Sequence, residues 1–123
     1  RRLCCALAAL HGVGKSHGNL SPRNVWVGPD GDVTILEAGL VDSLLEAGAL
    51  ADPDLLPVLG VEFARYLAPE GWQVPRQAGV AADIWALGLL LLEVLGGAAP
   101  PDPECATLGQ LSAKILPKRG KRR

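Results

Sequence analysis

His17-Gly18-Asn19-Leu20-Ser21-Pro22-Arg23-Asn24 is the stretch on which the reading of this chain turns. It is polar and carries a proline. An apolar segment with helical spacing, residues 2–13, runs into it, and a short β-branched run, Val25-Trp26-Val27, leaves it. Between two such elements a polar, proline-bearing stretch must be a loop.

Toward the N-terminus, Leu3, Leu7 and Leu10 recur at helical spacing with Ala between them, and Gly12 and Gly14 mark the end. The pattern predicts a buried helix. No capping residue precedes Arg1, so the helix is expected to be cut into, as by an N-terminal truncation. On the other side, Val25-Trp26-Val27 and Val33-Thr34-Ile35-Leu36 flank Gly28-Pro29-Asp30-Gly31-Asp32. Two β-branched runs around a Pro-Asp-Gly turn predict a hairpin, because Pro fixes φ and Gly supplies a positive φ where the turn needs one. Glu37-Ala38-Gly39 follows at once. Residues 40–67 show no sustained period and read as loop, with a helical turn around Val41 to Leu45, and Ala68-Pro69-Glu70 closes them.

Residues 79–95 carry the clearest helix signal. Ile84 to Leu92 is an uncharged apolar run of nine residues, and Gly96-Gly97 stops it. Apolar residues cover nearly every side, which predicts a core helix rather than a surface one. Pro100, Pro101 and Pro103 then break the chain, residues 106–116 read as one weak helix, and Lys118 to Arg123 as disordered. No internal repeat is present.

With 123 residues the chain makes one domain at most. From Lys114 onward it holds six of the twelve Lys and Arg and no acid, so residues 1–113 carry a net charge of −7. An acidic body with a basic tail argues against a nucleic-acid-binding body. Two of the three cysteines are adjacent, Cys4 and Cys5, and Cys105 is remote. That pattern fits neither a disulfide framework nor a zinc site and suits a reducing compartment. No signal peptide opens the chain, and the nine-residue apolar run is far short of the roughly 20 residues a membrane span needs. An intracellular, cytoplasmic chain is expected. The tail Lys118-Arg119-Gly120-Lys121-Arg122-Arg123 reads either as a solvated terminus or as a nuclear import signal or anionic-surface contact.

Four motifs now line up. The opening stretch resembles the catalytic loop of protein kinases, H-R-D-x-x-x-x-N, where the Asp accepts the substrate hydroxyl proton and the Asn holds a metal ion. Asn24 follows Asn19 at the required spacing, but Gly18 stands for the Arg and Asn19 for the Asp. Glu37-Ala38-Gly39 falls about where the family has D-F-G. Arg65-Tyr66-Leu67-Ala68-Pro69-Glu70 resembles the end of the activation segment, A-P-E included. Asp83-Ile84-Trp85-Ala86-Leu87-Gly88 resembles the start of the family's central helix, whose Asp bonds to the catalytic-loop backbone. The resemblance covers about residues 2–100. It implies an α+β, mostly helical fold: a partial protein-kinase-like C-terminal lobe, with a small β-hairpin and a buried central helix, over residues 1–113, and a basic tail over 114–123. Nothing matches the Gly-rich phosphate loop, the strand Lys or its Glu partner, so a missing N-terminal kinase lobe is implied, and the usual Arg partner of Glu70 lies in a region not matched.

The resemblance also assigns roles. Asn19 and Ser21 occupy the positions of the catalytic Asp and of the Lys that steadies the transferred phosphoryl group. Asn24 and Glu37 are the candidate cofactor and metal residues for ATP and Mg²⁺ in a longer parent protein. Asn19 cannot take a proton as a carboxylate does, a loss worth roughly 10²–10⁴-fold. Glu37 is one methylene longer than Asp, and Mg²⁺ demands near-ideal octahedral geometry. Gly18 removes the usual partner of an activation-loop phosphate, and between Leu40 and Leu67 only Ser43 and Tyr66 offer hydroxyls. His17, Gly39, Ala68, Pro69, Glu70, Asp83 and Gly88 are expected to be structural. For Asn24 the bland alternative is a turn residue, for Glu37 a surface acid at a strand end, and for Asp83 either a helix N-cap or an anchor of the loop backbone. Three functions are compatible with this: a pseudokinase-like scaffold with a protein partner, part of an atypical active ATP-dependent kinase, or a truncated product without independent function.

Overall fold

The computed structural model describes residues 1–48, 65–70 and 79–98. Helix α1 (Arg2–Gly12) runs into the polar loop, a short 3₁₀ turn (Pro22–Asn24) closes the loop, and strands β1 (Val25–Val27) and β2 (Val33–Ile35) form an antiparallel pair. Helix α2 (Leu40–Glu46) follows, and helix α3 (Val80–Gly96) is the longest element described. The expectations for residues 49–64, for 106–116, for Cys105 and for the basic tail lie outside the described residues.

Each element ends for a local reason. Gly14, at φ 75°, donates its N–H to the His11 carbonyl at 2.9 Å and turns the chain out of α1. In the hairpin, Val25 faces Ile35 and Val27 faces Val33, with Gly31 at φ 75° in the connecting turn. Leu36 leaves the strand one residue earlier than its β-branched run suggested. At the far end of α3, Gly97 adopts the left-handed conformation and returns its N–H to the Glu93 carbonyl at 2.8 Å, a standard helix stop.

The core joins α1, the loop and α3. Leu7, Leu20, Tyr66, Ala86, Leu89 and Leu90 are buried together, with Leu3, Val25, Ile35 and Trp85 packed around them. Fully burying a Leu-sized side chain is worth about 1.5–3 kcal/mol, so these few residues outweigh any surface contact. Tyr66 adds a polar tie, its hydroxyl donating to a carboxylate oxygen of Glu93 on α3. Burial of α3 is one-sided. Asp83, Ala86, Leu89 and Leu90 face the core, whereas Ile84, Leu91, Val94 and Leu95 are exposed. An apolar run all around the helix marked where it lies, but the described elements cover only one of its faces.

Arg2 clamps α1 to the hairpin turn, reaching the Asp30 carbonyl at 3.0 Å and Asp32 Oδ1 at 2.6 Å. Both side chains are more than half exposed, and water screens such pairs. Asp32→Ala is therefore expected to lower stability by less than about 1 kcal/mol in urea unfolding, although the Arg2–Asp32 pair, at 2.6 Å, is shorter than the His11–Asp83 contact.

Candidate functional site

Asp83 organises the site. It sits in the first turn of α3, where the positive end of the helix favours a carboxylate. It does not cap its own helix; the N-cap is Gly79. Its carboxylate points into the polar loop, accepting the His17 N–H at 2.7 Å and the Gly18 N–H at 2.9 Å. His11, from the last turn of α1, donates Nε2–H to the same carboxylate at 2.8 Å. One buried carboxylate thus ties α1, the loop and α3 together. Of the two readings of Asp83, the geometry selects the loop anchor.

His17 carries the tie onward. Fully buried, it donates Nε2–H to the Leu36 carbonyl at 2.8 Å and accepts the Asn19 N–H on Nδ1 at 3.2 Å. A carbonyl can only accept and a backbone N–H can only donate, so these bonds select the neutral Nε2–H tautomer. Asn24, also buried, donates its amide to the Asn19 carbonyl at 2.7 Å, and its own carbonyl accepts the Leu36 N–H at 2.8 Å. The loop is therefore cross-braced from within and pinned at Leu36, the residue before Glu37.

The arrangement brings His17, Gly18, Asn19, Asn24 and Asp83 into one bonded unit. Ser21 is buried at its edge, its carbonyl accepting the Asn24 N–H at 3.1 Å. Glu37 stands next to the unit, exposed, with φ 61°, a left-handed conformation uncommon for a side chain of this kind. Gly39 follows at φ 84°. Glu37 and Gly39, but not Asn19 or Asn24, line a cavity of about 640 Å³ that also takes in Leu10, Lys15 and Asp42. Ala68 is fully buried, Pro69 and Glu70 are half-buried, and Gly88 is half-buried mid-helix. None of these four has a described hydrogen bond to the loop. Sequence reasoning passed over His11. It lies one turn beyond Leu7 on the buried stripe of α1, and that spacing was the available signal.

Chemically, the unit positions backbone more than it presents reactive groups. Asn19 can orient a hydroxyl but cannot serve as its base. Glu37 and the side-chain oxygen of Asn24 are the oxygen donors that could hold Mg²⁺: the Asn24 amide nitrogen is committed to Asn19, and the Asp83 carboxylate to His11, His17 and Gly18. Among the described residues no three His, Cys, Asp or Glu side chains are grouped to share a metal.

Gly18 has a specific steric reason. Its φ is 76°, and a Cβ placed there would lie 3.0 Å from the Val41 Cβ on α2. Gly18→Ala is expected to lower stability by about 1–3 kcal/mol in thermal or urea unfolding. Gly18→Arg should cost at least as much, so putting an arginine back does not simply restore a catalytic loop.

A family model described as protein tyrosine and serine/threonine kinase matches residues 1–122. The chain is similar to the putative cyclin-dependent kinase F-2 of Oryza sativa subsp. japonica, 36% identical over 112 residues. That match covers 91% of this chain and 32% of the relative. It is also similar to the maternal embryonic leucine zipper kinase of Danio rerio, 33% identical over 88% of this chain and 15% of the relative. The serine/threonine-protein kinase PknL of Mycobacterium tuberculosis is 32% identical over 76% of this chain and 22% of the relative. The chain spans no more than about a third of the length of these relatives.

Proposed function

The chain belongs to the protein tyrosine and serine/threonine kinase family, and on that premise we propose that it serves as a pseudokinase-like scaffold that engages a protein partner, with little or no phosphoryl transfer. One observation carries the reading. The carboxylate that holds the loop in shape, Asp83, has all its partners, while the loop position that would take the hydroxyl proton is Asn19. The scaffold is braced and the chemistry at its centre has been exchanged. Gly18, in the place of the loop Arg, is backed against Val41 and supports the same reading. No helix among the described residues is long and apolar enough to cross a membrane.

The test is phosphate transfer from Mg-ATP by the longest natural polypeptide that carries this chain. The expected result is background turnover, unchanged by Asn19→Ala. Robust Mg-ATP-dependent transfer that disappears on Asn19→Ala would overturn the proposal.

A second reading is an atypical active kinase, with nucleotide binding completed by an N-terminal lobe. The bond from Leu36 N–H to the Asn24 carbonyl favours it, because it holds Glu37 beside the loop. It requires that the longer protein bind ATP and Mg²⁺ and that Glu37→Ala weaken that binding. Binding unaffected by the substitution removes this alternative.

A further inference from the structure

Helix α1 carries two adjacent thiols that neither the core nor the polar loop uses. Cys4 and Cys5 are both exposed. Ala8 and Ala9, one turn further along the same face, are exposed too and are too small to shield them. The two thiols cannot pair with each other while the helix holds. Adjacent Cα atoms lie about 3.8 Å apart across a trans peptide, below the roughly 4.4–6.8 Å that a disulfide spans. Consecutive helical side chains also diverge by about 100°.

The charge around the pair has one sign. Arg1 stands three and four residues before the two cysteines, and Arg2 stands three before Cys5. At those spacings helical side chains are neighbours. Cys5 donates its N–H to the Arg1 carbonyl at 3.1 Å, so the helical winding takes in Arg1. The first turn holds no acid, and the start of the helix adds its own positive pole. Arg2 is engaged with the hairpin turn, whereas the Arg1 side chain is exposed and caps nothing. Accessible thiols in electropositive surroundings are the ones that exchange with disulfides.

We propose that Cys4 and Cys5 form a modification site for an anionic, low-molecular-weight disulfide of the glutathione class. A cysteine thiolate attacks one sulfur of the reagent. The new S–S bond forms as the reagent's own S–S bond breaks, and glutathione leaves as a thiolate that takes up the proton the cysteine gave up. One disulfide is exchanged for another, with no further oxidant. Arg1 pairs with a carboxylate of the incoming glutathione. The helix then holds the product at this stage. Release of glutathione by the neighbouring cysteine would close a Cys4–Cys5 disulfide, which needs a backbone the helix does not provide.

The test uses the full chain with Cys105→Ser, treated with oxidised glutathione or with cystamine, a cationic disulfide, and followed by intact mass and peptide mapping. Each rate is taken relative to the same reagent's rate with N-acetylcysteinamide, an uncharged thiol. The expected product carries glutathione on Cys4 or Cys5, and the relative rate with oxidised glutathione should exceed that with cystamine by at least about three-fold. Arg1→Glu, with its fold checked by circular dichroism, should remove that preference, and so should high salt. A Cys4–Cys5 disulfide as the main product would overturn the proposal, as would the absence of any adduct. Equal relative rates for the two reagents, or a preference unchanged in Arg1→Glu, would also overturn it. None of these readouts depends on whether the chain transfers phosphate.

Discussion

Asp83→Ala is expected to destabilise the fold by about 3–5 kcal/mol, the range found when one partner of a buried charged network is removed. The carboxylate is almost fully buried and accepts from His11, His17 and Gly18. With alanine in its place the two backbone N–H groups lose their acceptor inside the protein, at about 1–3 kcal/mol each. His11 is partly exposed and recovers some of its loss from water. Since whole domains are stable by only about 5–15 kcal/mol, the loss takes a large share of the fold's stability. Asp83→Asn keeps one acceptor oxygen but turns an NH₂ toward groups that are themselves donors, so it should fall between alanine and the parent. Urea unfolding followed by circular dichroism measures both. A loss below about 1 kcal/mol for Asp83→Ala would mean that the loop does not depend on this anchor.

Leu89→Ala should cost about 2–5 kcal/mol, because Leu89 is wholly buried at the meeting point of α1, the loop and α3. Ile84→Ala, on the same helix, should cost less than about 1 kcal/mol, since the side chain is already half in water and alanine is the better helix former. The pair measures which face of α3 is interior. Equal losses would show that the whole circumference of the helix is covered in solution.

Much of this architecture was readable before any coordinates. The Leu3, Leu7 and Leu10 spacing placed α1, the Pro-Asp-Gly turn placed the hairpin, and the apolar run ended by Gly96-Gly97 placed α3. These are local signals, and local physics governs them. The burial of α3 was not local. Period and composition state that a helix is apolar; which side meets a neighbour depends on residues far along the chain. The His11 bond to Asp83 escaped for the same reason, since the two lie 72 residues apart. The strain at Glu37, by contrast, has no sequence signal: only a backbone angle shows that a glutamate occupies a conformation better suited to glycine. The roles of Asn19, Ser21, Asn24 and Glu37 came from motif resemblance, and the structure adds their placement and bonds.

The anchor at Asp83 also sets an order of events during synthesis. Its three donors precede it by 65 to 72 residues. At about 5–20 residues per second a ribosome needs roughly 3 to 14 seconds to deliver the acceptor after the donors have been made. Throughout that interval the nascent chain presents Leu7 and Leu20 with no helix to lie against. Until Asp83 and the rest of α3 emerge, these side chains lack the helix they pack against in the folded protein, so a stall before that point should leave them exposed.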